Sequence, residues 1–110
     1  MDPQSTLTAA RDALDRSAFI EAENVLLPLA EQENLEAQSL LGIVFQIQGN
    51  LDAAIHWLEK AALGGNGCAA HNIGVAYLSS NPEEGKKWLQ LAYDLGFESE
   101  VASDPLWFKR

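Results

Sequence analysis

Two residues three positions apart, Cys68 and His71 in the stretch CAAHNIGVAY, carry the side chains best suited to covalent or metal chemistry. At helical spacing a Cys-x-x-His puts thiol and imidazole on one side of a helix. There they can form a thiolate–imidazolium pair or supply two metal ligands. Neither site is completed by the rest of the chain. A structural zinc needs four ligands, and a nucleophile needs an orienting group and an oxyanion hole. There is no second cysteine, and the other histidine, His56, falls on a different predicted helix. The carboxylate pairs are no better placed. Glu83-Glu84 opens a helix, where acids complement the dipole, and Glu21/Glu23 and Glu31/Glu33 lack the apolar surroundings that raise a catalytic acid's pKa. GGNG at 64–67 lacks the lysine and Ser/Thr of a phosphate loop and reads as a turn. The expectation is a protein with no catalytic residues, no cofactor and no metal.

Composition narrows the partners. The net charge is −9 with only 7 Lys and Arg, which excludes the clustered cations that nucleic acids and anionic membranes require. Residues 1–59 hold ten acids against two bases, while residues 60–110 hold six against five. The N-terminal half is therefore suited to steering a basic partner. A single cysteine forms no internal disulfide, no run reaches membrane-spanning length, and MDPQSTLTAARDALDR has no signal-peptide pattern. The cytoplasm is the expected location.

Ala, Leu, Glu and Gln dominate over β-branched residues, which favours an all-α fold. Punctuation divides it. Asp2-Pro3 caps a helix over about 3–15, with Leu7, Ala10 and Leu14 on one face, and a second runs over about 18–32 with Pro28 inside it. Asn34, Asn50 and Asn66 cap helices over about 35–48, 51–63 and 67–79, and NPEE at 81–84 opens a sixth that ends before Gly96. A tail with the aromatic stretch DPLWFKR follows.

The strongest signal is internal repetition. Ala37, Leu41, Gly42 and Phe45 recur 32 positions later as Ala69, Ile73, Gly74 and Tyr77. Ala54, Trp57, Ala61 and Gly65 recur 31 positions later as Gly85, Trp88, Ala92 and Gly96. A fainter copy precedes them, with Ala10, Ala22 and Ala30 standing for Gly42, Ala54 and Ala62. Glycine in mid-helix is costly, so Gly42 and Gly74 are expected where a neighbouring helix comes too close for a side chain. One helix pair cannot bury its apolar faces alone, but three stacked pairs can.

The segments AQSLLGIVF with AIHWLEKAALGG, and AAHNIGVAY with GKKWLQLAYDLG, resemble tetratricopeptide-like repeats, most closely the Sel-one-like branch. That branch reads A-x3-L-G-x2-Y in its first helix and A-x2-W-x2-K-A-A-x2-G in its second. The resemblance covers about 35–97 well and 5–34 weakly. It departs in the turn QIQGNLD, which is shorter than the Sel-one-like pattern, and in the first unit, which lacks both the glycine and the tryptophan. The resemblance implies three stacked antiparallel helix pairs in a short right-handed α-solenoid: repeat 1 over about 3–33, repeat 2 over about 34–65, repeat 3 over about 66–97, and a C-terminal extension over 98–110. It also implies a non-catalytic scaffold that binds a protein or peptide on the concave surface lined by the first helix of each pair.

With Gly42 and Gly74 packed inward, rotation about each helix leaves Glu36, Ser39, Ile43, Gln46 and Ile47 facing the groove in the middle unit. His71, Val75, Leu78 and Ser79 face it in the third, with Gln4, Leu7 and Arg11 from the first. This mixture of aliphatic and neutral polar groups suits an amphipathic helix or an extended apolar peptide. Only Arg11 and Asn72 could grip a peptide carboxylate, too few for that kind of clamp. Alternatively the tail, through Phe97, Leu106, Trp107 and Phe108, fills the groove itself. The expected function is protein–protein interaction, in the manner of an adaptor or an immunity-type inhibitor of a basic partner. The competing expectation is a structural repeat that stacks on itself or caps a longer array, forming a homo-oligomer through its terminal faces.

Overall fold

The computed structural model describes residues 2–97; the expected C-terminal extension over 98–110, with Leu106, Trp107 and Phe108 as candidates to fill the groove, lies outside them. Six helices follow one another: α1 (Pro3–Asp15), α2 (Phe19–Glu31), α3 (Leu35–Ile47), α4 (Leu51–Leu63), α5 (Gly67–Tyr77) and α6 (Pro82–Asp94). Each packs on its neighbours in chain order, so three antiparallel pairs stack along a 43 Å axis with a cross-section of 25 × 24 Å. α1 also touches α3, and no comparable contact joins α2 to α4 or α4 to α6. The first helices of the first two pairs therefore approach one another more closely than do their second helices.

The helix starts are those that the side chains dictate. Asp2, Asn34, Asn50, Asn66 and Asn81 each accept a hydrogen bond from the backbone N–H three residues on, satisfying one of the orphan donors of the first turn. α2 lacks such a cap and begins at Phe19 behind Ala18. Pro28 does not break α2. The carbonyl it leaves unbonded belongs to Asn24, an exposed residue whose backbone water can reach. α5 stops at Tyr77, two residues short of the expected end, and the Tyr77 carbonyl accepts from the N–H groups of Ser80 and Asn81. One residue is missing here relative to the middle pair, so the chain turns early to bring α6 into place.

The joints between pairs repeat one geometry. Glu33, Gly65 and Gly96 have φ of 65°, 111° and 89°. After each, the next N–H (Asn34, Asn66, Phe97) reaches back to the carbonyl of Leu29, Ala61 or Ala92 at 3.3, 2.9 and 3.0 Å. This is the left-handed C-cap that reverses a chain at a helix end.

Close approach within a pair explains the mid-helix glycines. A Cβ on Gly42 would lie 2.5 Å from Cγ of Leu58 and 3.1 Å from the carbonyl of Ala54. On Gly74 it would lie 2.6 Å from Cγ of Leu89 and 3.0 Å from the carbonyl of Gly85. Side-chain size is also exchanged across equivalent contacts. Leu35 packs over Gly64 in the middle pair, whereas in the third Gly67 lies under Leu95 and Phe97. The core follows the stacking. One cluster centres on Leu26, Leu41 and Val44 with Phe45 and Trp57 against it; the other on Leu58 and Ile73 with Tyr77, Trp88 and Phe97. Burying each such leucine or isoleucine contributes about 1.5–3 kcal/mol.

Candidate partner-binding face

The first helix of each pair turns one stripe, the inner stripe, away from the core. On α3 it is Glu36, Leu40, Ile43 and Ile47, at spacings of four, three and four. The repeat places Gln4, Thr8, Arg11 and Asp15 in the same positions on α1, all exposed, and Cys68, Asn72, Val75 and Ser79 in those of α5 and the turn after it. The α1 and α3 stripes lie side by side. Arg11 joins the first two through an ion pair with Glu36, each side chain about half exposed. Such a pair at the surface contributes at most about 1 kcal/mol, so it adds little to the buried contacts that hold the fold.

The middle of the face is aliphatic. Ile47 is 54% exposed and Val75 50%, and Ile43 and Leu40 are half-buried. The α1 stripe is polar, with Arg11 and Asp15 as its charged members, and the first pair as a whole is acidic. In residues 1–59 both bases are engaged by carboxylates, Arg11 by Glu36 and Arg16 by Glu21 at 2.8 Å. The Glu21 carboxylate raises the already high pKa of Arg16. Among the described residues of this half, no lysine or arginine is left without a carboxylate partner.

Three of the expected groove residues are placed differently. Ser39 is buried, 4% exposed, and Leu7 3%. These two occupy one repeat position, in pairs that another pair follows. Rotation about a single helix places Ser39 at the rim of the exposed stripe. Only the packed neighbour decides on which side of the rim it falls. His71 is the third copy of that position, and its ring lies against Phe97, with centroids 4.7 Å apart. Leu78 follows the end of α5 and lies against Gly85 on α6, although its outer part remains exposed. Gln46 is half-buried at the rim.

Cys68 and His71 thus diverge. Cys68 is exposed on the inner stripe, where Nδ2 of Asn72 approaches its sulfur at 3.9 Å, while His71 faces Phe97. Among the described residues no three His, Cys, Asp or Glu side chains gather where a metal could sit, and no helix is long and apolar enough to cross a membrane.

Two features escaped the sequence reading. Gln38, 4% exposed, donates from Nε2 to the carbonyl of Ala30 at 3.1 Å, pinning the second pair to the first. The signal was a glutamine among apolar inward positions. The second is a cleft of about 400 Å³ at the N-terminal end, lined by Pro3, Thr6, Val25, Pro28, Leu29 and Gln32. Thr6 and Val25 stand where Gln38 and Trp57 stand one repeat later, and the smaller side chains leave the hollow.

Stacked helix pairs with a repeated glycine contact and an open inner stripe define a helical-repeat scaffold. The Sel1 repeat model matches residues 35–66 and 68–97, more than half of the chain, and the protein belongs to the Sel1 repeat family. Repeats of this family are generally protein-interaction modules and typically non-catalytic. α1 and α2 lie outside both matches, consistent with their missing glycine and tryptophan. No curated protein and no solved structure matches the chain.

Proposed function

We propose that this protein binds a protein partner along its inner face, seating an apolar helix or extended segment on Ile43, Ile47 and Val75, with basic residues of that segment directed toward the α1 side. The observation that carries this reading is the set of exposed and half-buried aliphatic side chains on α3 and α5, together with an acidic first pair whose two arginines are already engaged by carboxylates. Apolar contact supplies affinity, and the acidic flank supplies rate and orientation. An adaptor or an inhibitor of a basic protein fits this chemistry. A cytoplasmic setting would suit the unpaired thiol of Cys68.

The test is affinity capture with the wild-type chain and with Ile43→Glu/Val75→Glu, each checked for unchanged thermal stability. A partner retained by the first and lost by the second, with an association rate that falls as salt is raised, supports the proposal. Equal retention by both would rule out the inner face, and a salt-independent rate would remove the basic flank from the description.

A further inference from the structure

We propose that the cleft at the N-terminal end of the array is a second docking site, which takes a basic amphipathic helix of a partner protein. It is separate from the inner face. The repeat register says what belongs there. α2 packs on α3 and α4 on α5, so each later pair receives a helix on its leading side. Gln38 and Trp57 are the middle pair's residues at that joint. Gln38 donates to the carbonyl of Ala30 on α2, and Trp57 packs against the core cluster that the first two pairs share. Thr6 and Val25 hold the same two positions on the first pair, and no helix precedes α1 among the described residues. The leading side of the first pair is therefore built as a seat for a helix.

The lining suits apolar side chains on that helix. Pro3, Val25, Pro28 and Leu29 supply apolar walls around about 400 Å³, which falls in the range of about 300–1,000 Å³ over which proteins seat ligands. Thr6 and Gln32 are the polar members. The Thr6 hydroxyl donates to the Asp2 carbonyl at 3.2 Å, so its oxygen can still accept from an incoming donor. A helix as long as α2, 13 residues, extends about 20 Å at roughly 1.5 Å per residue. That fits within the 25 × 24 Å cross-section of the array.

Charge selects the partner. Residues 2–34 hold seven acids and two bases, and both bases, Arg11 and Arg16, already face carboxylates. Three of the acids adjoin the lining in the chain: Asp2 precedes Pro3, and Glu31 and Glu33 flank Gln32. All three are exposed. A helix with leucine-like side chains toward the cleft and lysine or arginine along its flanks meets both features. A second copy presenting the same end would bring like charges together, which opposes it.

The experiment follows the amide resonances of the full chain during titration with a synthetic helix as long as α2, leucine on one face and lysine on the other. The expected result is a set of shifts at Thr6, Val25, Leu29 and Gln32, retained in Ile43→Glu/Val75→Glu and absent with a counterpart peptide in which glutamate replaces lysine. Val25→Trp installs the residue found at positions 57 and 88. It should fill the cleft, leave the melting temperature unchanged or raised, and weaken peptide binding by about tenfold or more. Glu31→Gln/Glu33→Gln should weaken binding by about threefold at low salt and leave it unchanged near about 1 M salt. Shifts confined to Ile43, Ile47 and Val75 would place the helix on the inner face and overturn the proposal. Equal binding of the glutamate peptide, undiminished binding to Val25→Trp, or no shift at about 1 mM peptide would do the same. Shifts at Thr6 and Gln32 that appear without peptide as protein concentration is raised would assign the cleft to a second copy and also overturn it.

Discussion

The contact between Gly74 and Leu89 is the sharpest place to test the packing logic. Replacing Gly74 with alanine adds one carbon at 2.6 Å from Cγ and 2.8 Å from Cδ2 of Leu89, and 3.0 Å from the carbonyl of Gly85. The leucine is 5% exposed and the carbonyl belongs to a helix, so neither yields cheaply. Overpacking of this kind costs about 1–3 kcal/mol. Alanine recovers about 1 kcal/mol of helix propensity, leaving Gly74→Ala destabilised by about 0–2 kcal/mol. The net figure is small, so the informative measurement is a cycle with Leu89→Ala. That single change empties a buried site and costs about 2–5 kcal/mol. In the double variant the new methyl enters the space the leucine left, and the two costs do not add. Urea denaturation of the four proteins should give a coupling of about 1 kcal/mol or more in favour of the double variant. Additive costs would refute the claim that Leu89 is what forbids a side chain at position 74.

Asn66→Ala removes the acceptor for the Ala69 N–H at 2.9 Å and should cost about 1 kcal/mol, read from the same denaturation curves. A double-mutant cycle on Arg11 and Glu36 should give less than about 1 kcal/mol at low salt and nothing measurable near 1 M salt, because both side chains are about half exposed. The Ser5 backbone N–H, with the Ser5 hydroxyl, holds the Asp2 carboxyl below its ordinary value of 3.8. The stabilisation of the first turn of α1 is therefore present above that value and lost as pH falls through the lowered one; the Ser5 amide shift should report this titration, and Asp2→Ala should abolish it.

The helix plan was legible in the residues because each start is local chemistry. An asparagine or aspartate that accepts from the N–H three residues on acts within one turn and needs no tertiary partner. The same is true of the left-handed joints at Gly65 and Gly96. Glu33 shows the limit: it takes the same conformation without glycine, and only the repeat register reveals it. Gly42 and Gly74 were readable for a different reason, since the helix-propensity cost of a glycine implies a compensating contact, though not its identity.

What the sequence by itself determined is therefore the six helices of the described residues, their bounds to within two residues, their pairing into repeats and the glycine contacts, all set by interactions within a turn or by recurrence at a fixed spacing. The tertiary structure decided which copy of a repeated position meets protein and which meets water. Leu7 and Ser39 are buried and His71 is turned to Phe97, and Ala30 and Ala62 are buried while Tyr93 is 53% exposed, although each set shares one register. The physical reason is that burial belongs to the pair stacked alongside, and a residue's own helix carries no information about whether that neighbour is there.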